Sequence, residues 1–401
     1  MPFRFVGVAL HSKGQIVFLL LFALLLLWSC GSPPQPAAQI EPRVFALLGD
    51  RRLLVIRPAD GRILAERRLV TPPPSDTNSL GHYMGLSRTG NELFVLVPGT
   101  AGSADQLAML DVRTLSVTTI YPLPGTGVRF SSLAVGPVTG RVYLFGTRVE
   151  PQVPVAPDSA ATLALRGMVA VLDADRGTLI AEWPLRPSQG YDWQIYQGAV
   201  SDDERTLFVS YHGASATGID WFQIAATGLV PCVRPGRRAN RGCIDAHGGF
   251  LLRDDYLLVA TGTSRILAVN RNNAIQTTWD TRMKRNHLME FALDSTQNRM
   301  YVVGTCGYTY GFQSLALDAP PVVSSPGSEP PPSTTTAVPR EICGGRITLA
   351  SDMLLVTTKT AVTVVSAWGA GALLFVDTRS GAVIRTVPTP SEPMDVLALR
   401  P

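Results

Sequence analysis

Lysine is nearly absent from this 401-residue chain: of its 35 basic side chains only Lys13, Lys284 and Lys359 are lysines, and the rest are arginines. Against them stand 31 acidic side chains. A balance this even provides no concentrated basic face, so a nucleic-acid partner is not expected. Enzyme signatures are missing as well. There is no G-x-S-x-G, no S-x-x-K, no H-E-x-x-H and no phosphate-cradling glycine loop, and with them go the reaction classes those motifs announce. The stretch His287-Leu288-Met289-Glu290 lacks a second histidine. No C-x-x-C occurs and no histidine pair lies near a cysteine, so neither a zinc site nor another cofactor is implied. Beyond residue 28 no apolar run is long enough to span a bilayer.

What is present begins with an export signal. Residues 1–29 carry Arg4 and Lys13 and no acid, and an unbroken apolar run extends from Ile16 to Trp28. That run is shorter than the ~20 residues a membrane-crossing helix needs, and a basic start followed by such a run has the layout of a secretory signal. It ends on Leu27-Trp28-Ser29-Cys30-Gly31, which resembles the lipobox of bacterial lipoproteins. In that family the leucine stands three residues before the cysteine and a small residue stands just before it. The resemblance implies cleavage before Cys30 and diacylation of its thiol; Trp28 is bulkier than the family's usual residue. Residues 31–42, GSPPQPAAQIEP, hold four prolines and almost no core-forming side chain, so they should act as a stiff spacer. The expectation is therefore a signal peptide at 1–29, a lipidated Cys30 with a tether over 30–42, and an extracytoplasmic domain over 43–401. That domain would be anchored to the cell membrane, or to the outer membrane if the host has one.

Four cysteines remain, Cys232, Cys243, Cys306 and Cys343, and an even number outside the cytoplasm permits two disulfides. Three connectivities are open. Sequential pairing, Cys232–Cys243 and Cys306–Cys343, is the one expected here. Two proline-rich stretches, about 148–166 and 318–342, interrupt an otherwise regular chain. The second holds seven prolines from Pro320 to Pro339 and stands where a fourth strand would be.

The regularity is a repeat. A half-apolar strand, a polar turn and a strongly apolar strand recur as GLSRTGNELFVLV, AVGPVTGRVYLFG, AVSDDERTLFVSY, FLLRDDYLLVATG, FALDSTQNRMYVVG and TLASDMLLVTT. A third and a fourth strand follow in LAMLDVRTLSVTTIYPL, VAVLDADRGTLIAEWPL, ILAVNRNNAIQTTW and LLFVDTRSGAVIRTVPT, hinged on Asp111, Asp173, Asn270 and Asp377. An Asp or Asn there can bond its own backbone two residues on, and Gly177 or Gly381 takes a positive φ at little cost. A module of four short strands cannot bury its own faces, so modules must stack, and radial stacking leaves only short edges. The ends agree. The chain closes on PMDVLALRP, a first strand with no second, and the domain opens on RVFALL, a second strand with no first. The fold expected is all-β: a seven-bladed β-propeller of four-stranded antiparallel blades, its ring closed by one C-terminal strand joined to three N-terminal strands. A pair of β-sandwiches would not explain complementary termini.

The segments VIRTVPTPSEPMDVLALRP and YPLPGTGVRFSSLAVGPVTGRVYLFGT resemble the surface-protein propeller repeat named for its Tyr-Val-Thr-Asn signature, a quinoprotein-like family. Tyr-Val-Thr-Asn itself is absent, the nearest forms being Met300-Tyr301-Val302-Val303 and Arg141-Val142-Tyr143-Leu144. The resemblance supports the fold and says little of function, since such folds host many activities.

Two sites can be placed by aligning the repeats. The starts of the inner strands bring His82, Ser131, Tyr196, His247, Met289, Arg346 and Asp395 to one equivalent position, a channel mouth. There His82, Tyr196, His247, Arg346 and Asp395 are the candidate binding groups for an anion, a metal or a small polar ligand. The second candidate is aromatic: Tyr191, Trp193 and Tyr196 before one inner strand, Trp221 and Phe222 later in the same blade, and Tyr308, Tyr310 and Phe312 in another loop, a surface suited to sugars or to a protein. The acidic pairs Asp202-Asp203 and Asp254-Asp255 fall in turns, where solvated acids are ordinary. Two functions follow. One is a membrane-tethered, non-catalytic binding or interaction scaffold, its partner another envelope protein or a small polar ligand. The other is an exported propeller enzyme, a quinoprotein-like oxidoreductase or a lyase, working through His82, Tyr196, His247 and Arg346. No single motif excludes the second, because a propeller draws one catalytic group from each blade.

Overall fold

The computed structural model describes residues 41–69, 82–99, 103–123, 127–151, 163–185, 193–213, 217–226, 228–231, 244, 249–253, 256–260, 265–270, 275–280, 289–294, 296–304, 312–317, 335–336, 343–350, 353–359, 371–378 and 383–399. Among them every regular element is a strand, and no helix is long and apolar enough to cross a membrane. Cys30, Cys232, Cys243 and Cys306 lie outside the described residues, as does the Cys343 side chain, so the lipidation and disulfide expectations fall outside them too.

The protein is an all-β propeller whose blades are four-stranded antiparallel sheets. In chain order, β1 (Arg43–Leu48), β2 (Arg52–Ile56) and β3 (Ile63–Arg68) belong to the first sheet, and β4 (Met84–Leu86), β5 (Glu92–Val97), β6 (Gln106–Asp111) and β7 (Val117–Pro122) form the second. The third comprises β8 (Val128–Val135), β9 (Val142–Pro151), β10 (Leu163–Asp173) and β11 (Thr178–Pro184). The fourth is β12 (Trp193–Val200), β13 (Thr206–Gly213), β14 (Thr217–Ala225) and β15 (Gly228–Pro231). The fifth follows with β16 (Phe250–Arg253), β17 (Tyr256–Ala260), β18 (Arg265–Asn270) and β19 (Ile275–Asp280). The sixth has β20 (Met289–Asp294), β21 (Arg299–Gly304), β22 (Phe312–Ala316) and β23 (Thr335–Thr336), and the seventh β24 (Cys343–Ala350), β25 (Met353–Lys359), β26 (Gly371–Asp377) and β27 (Val383–Thr389). The last strand, β28 (Pro393–Leu399), returns to the start of the chain and pairs with β1, giving the first sheet the order β28-β1-β2-β3.

Among the described residues the second strand of a module is apolar on both sides because both faces of its sheet are covered. In β13 the side chains alternate by the pleat. Leu207 and Val209 face the third sheet, in one cluster with Tyr143, Phe145 and Val171. Phe208 faces the fifth, in another with Phe250, Leu257 and Val259. The fifth and sixth sheets meet through Leu258, Ala268, Phe291 and Met300, and the first and seventh through Val44, Leu54, Leu373 and Phe375. Each such side chain contributes about 1.5–3 kcal/mol by leaving water. The approach is close: a Cβ on Gly198 would fall on the Phe145 ring.

The turns use the chemistry their sequences carry. Asp111 Oδ1 accepts from the backbone of Arg113 (2.9 Å) and Thr114 (2.6 Å), and Asp173 Oδ1 does so from Asp175 and Arg176, both at 3.1 Å. Gly177 then takes φ +64°, but its counterpart in the second sheet is Leu115 at φ 59°, a residue type that pays for that conformation. The proline-rich stretches differ from expectation in two respects. Residues 148–151 and 163–166 continue the β9–β10 ladder, with Leu163 opposite Pro151 and Arg166 opposite Arg148. The long stretch after Ala316 also does contain a fourth strand, the two-residue β23, held by Phe312 and Gln313. Proline rules out a long strand there but leaves room for two threonines.

Candidate functional site

The register of the inner strands decides what the aligned polar positions do. Three inner strands carry a single-residue bulge near their start: Ser131 is the extra residue between Phe130 and Ser132, Tyr196 between Ile195 and Gln197, and Met394 between Pro393 and Asp395. In β24 the irregularity spans Gly345 and Arg346. The counterpart of Ser131 and Tyr196 in the last strand is therefore Met394. Asp395 aligns one residue on, with Ser132 and Gln197. A period-2 strand turns that one-residue slip into a change of face.

Those post-bulge positions are buried and engaged. Asp395 is 2 % exposed; its Oδ2 accepts from the backbone N–H of Tyr83 (2.7 Å) and Met84 (2.9 Å) in the second sheet, and its Oδ1 from Val396 N (2.9 Å). Ser132 Oγ accepts from Gly198 N at 3.1 Å. Gln197 works like a peptide group, its Nε2 donating to Phe250 O (2.9 Å) and its Oε1 accepting from Phe250 N (3.1 Å). Even the bulged Ser131 donates to Ile195 O at 2.7 Å. Apart from the local bond to Val396, each runs from one sheet to the next, so these polar residues are staples between sheets.

The remaining mouth candidates are placed less fully. His82 is half-buried beside β4, and its carbonyl accepts from Leu133 N at 2.7 Å. Tyr196 lies in β12, Met289 in β20 and Arg346 in β24, with their side chains outside the described residues, and His247 lies wholly outside them. Of the aromatic candidates, Tyr191, Tyr308 and Tyr310 are outside, and Trp193 is described only as the first residue of β12. Among the described residues no group of three His, Cys, Asp or Glu converges as metal ligands would. One buried cation had no sequence signal. Arg51, at φ 66° in the β1–β2 turn, is fully buried, with Nη1 3.1 Å from Met394 Sδ and no acceptor at Nε or Nη2. Burial pulls its guanidinium down to about 10, so it costs stability.

Among the described residues an open site lies elsewhere, between the fourth and fifth sheets. A cleft of about 440 Å³ opens at the β12–β13 and β16–β17 turns. Its floor is apolar: Phe208, Ile244, Leu257 and Val269, each 7 % exposed or less. Trp221 of β14 and Tyr256 at the start of β17 stand at its walls, the tyrosine 40 % exposed. The rim carries Asp202, Arg205, Gln223 and Asn270. Asp203 also lines it, but its Oδ1 is held within the turn by Ser201 Oγ (2.6 Å) and Arg205 N (3.1 Å).

Hairpin length explains why the gap stays open here. Between the third and fourth sheets, Glu204 reaches from its turn to the turn opposite. Its Oε1 accepts from Val138 N and Thr139 N (both 2.7 Å), and its Oε2 from Thr139 Oγ1 (2.6 Å) and Tyr143 Oη (3.2 Å). Burial raises its carboxyl, but these bonds outweigh it and hold the group below the ordinary carboxylate range; Tyr143 is pushed up to about 12 by burial and by that carboxylate. Across the second and third sheets Arg88 Nη1 donates to Val138 O at 2.9 Å. In the fifth sheet the hairpin is two residues shorter: Leu252 pairs with Leu257, where Val200 pairs with Leu207. The shortening was visible in FLLRDDYLLV beside AVSDDERTLFV, and Asp202, Asp203 and Trp221 had each been singled out. All three belong to the fourth sheet, and only its packing against Tyr256, Leu257 and Asn270 of the fifth makes them the side of a cleft.

No known family profile matches the chain, and no curated protein matches it by sequence. Solved structures do. The dihydro-heme d1 dehydrogenase NirN, in complex with DHE, aligns at 13 % identity and TM-score 0.53 over 92 % of this chain and 78 % of its own. The β-propeller domain of Cps50 (Swd1) from Myceliophteria thermophila aligns at 13 % and 0.52, covering 80 % and 90 % respectively. Apo AztD from Citrobacter koseri gives 14 % and 0.47 over 89 % and 98 %. At such identities the likeness to the first two establishes a propeller and nothing about ligand or reaction.

Proposed function

We propose that this protein is a lipid-anchored, extracytoplasmic binding propeller. In this reading the seven sheets are the blades of one ring closed by β28, the repeat belongs to the Tyr-Val-Thr-Asn type, and Cys30 carries the lipid. The ligand sits in the cleft between the fourth and fifth blades. One contrast carries the proposal: Asp395, Ser131, Ser132 and Gln197 are consumed in bonds between sheets, while the cleft with Trp221 and Tyr256 stands open. Its size falls within the ~300–1,000 Å³ of small-molecule pockets, and an apolar floor under a few polar groups is their usual make-up. The channel-mouth binding set of His82, Tyr196, His247, Arg346 and Asp395 loses Asp395 to these bonds. The reading is tested by blocking the cleft. Gln223→Trp, at an exposed rim position, should abolish binding of the purified protein to its native envelope preparation. The same change at Val138, 53 % exposed on another edge, should leave binding intact. Equal binding by both variants would overturn the cleft as the site.

A further inference from the structure

Resting on the cleft as the binding site, we infer that its ligand is a neutral saccharide. The apolar faces of a pyranose ring pack on aromatic side chains whose broad surfaces are presented rather than hidden. Tyr256 is 40 % exposed, and Trp221, half-buried against the cluster beneath, also lines the cleft, so both offer surface to an occupant. The hydroxyls around such a ring need partners that donate and accept side by side. At the rim the Gln223 and Asn270 amides each donate and accept, while Asp202 supplies only acceptors and Arg205 only donors, a planar set suited to adjacent hydroxyl pairs.

Charge narrows the class further. Asp202 and Arg205 bring opposite charges to the same rim, so whatever attraction one exerts on a charged ligand is opposed by the other. The floor of Phe208, Ile244, Leu257 and Val269 offers no polar atom from its side chains. Polar recognition is therefore confined to the rim, as suits a ring with apolar faces and a polar circumference. The cleft is formed by two sheets packed face to face, so it is pre-shaped and gives up little entropy on binding.

The test is titration of the full exported protein, followed by tryptophan fluorescence and calorimetry. The probes are cellobiose, maltose and N,N′-diacetylchitobiose, with glucose 6-phosphate and the peptide Lys-Gly-Gly alongside. The expected result is saturable binding of at least one neutral disaccharide, weakened about tenfold or more in Trp221→Ala and in Tyr256→Ala. Because Trp221 also packs into the core, Tyr256→Ala and Gln223→Ala serve as variants at exposed positions, each checked by thermal melting. Absence of saturable disaccharide binding up to ~10 mM would overturn the saccharide class, and so would tighter binding of the phosphate or the peptide. The class fails alone if Gln223→Trp still abolishes envelope binding. The cleft reading fails with it if Gln223→Trp has no effect.

Discussion

Replacing Asp395 by alanine separates a structural staple from a ligand-binding residue. The carboxylate is buried at 2 % exposure, and so are the two backbone donors it receives, in Tyr83 (2 %) and Met84 (5 %). Asp395→Ala leaves both N–H groups without their acceptor inside the protein, at about 1–3 kcal/mol each. Local relaxation reduces the total, and the expected loss is about 3 kcal/mol. The change also acts on the strand that pairs the chain's end with its beginning, so unfolding should begin at the first sheet. Asp395→Asn keeps an acceptor oxygen for Tyr83 and Met84 but turns an N–H toward the backbone donor of Val396, which Oδ1 now satisfies at 2.9 Å; its loss should be about 1 kcal/mol. Urea denaturation followed by circular dichroism measures this, with the midpoint falling at an unchanged slope. Hydrogen exchange at Tyr83 and Met84 should rise in the alanine variant. A loss below about 1 kcal/mol in Asp395→Ala, with ligand binding abolished, would refute the staple and restore Asp395 as a channel-mouth ligand.

Two further outcomes are expected. Glu204→Gln removes the charge that pins the fourth sheet to the third and should cost about 1 kcal/mol at neutral pH. The folded-state carboxyl titrates below its ordinary value, so its contribution is complete above that value and is lost as pH falls through the folded one. The gap between wild type and Glu204→Gln in urea melts should therefore close on acidification below about pH 4, and a gap that widened there would contradict the assignment. Cys30→Ser should leave the protein unlabelled by radioactive palmitate and release it from the membrane fraction; a variant that stays in the pellet would remove the lipid anchor from the proposed function.

Much of the architecture was legible because it rests on short-range rules. Period-2 alternation, the Asp-headed turns at Asp111 and Asp173, and the complementary fragments RVFALL and PMDVLALRP all act over a few residues, and the paired strands β1 and β28 follow from them. The short β23 was missed because two threonines among prolines give no periodic signal. The site was harder to read. Aligning repeats by spacing put Asp395 with Ser131 and Tyr196, but the bulged residue of the last strand is Met394.

By itself, then, the sequence determined that the protein is built from four-stranded modules and that its last strand belongs with its first, because strand, turn and burial patterns are local. Only the tertiary structure decided which polar side chains are spent between sheets and where a cleft stays open. Both depend on contacts between modules. A bulge re-aims a residue toward a neighbour tens of positions away, as Gln197 reaches Phe250, and a hairpin two residues short leaves unfilled the space beneath Trp221 and Tyr256 that the neighbouring sheet would otherwise close.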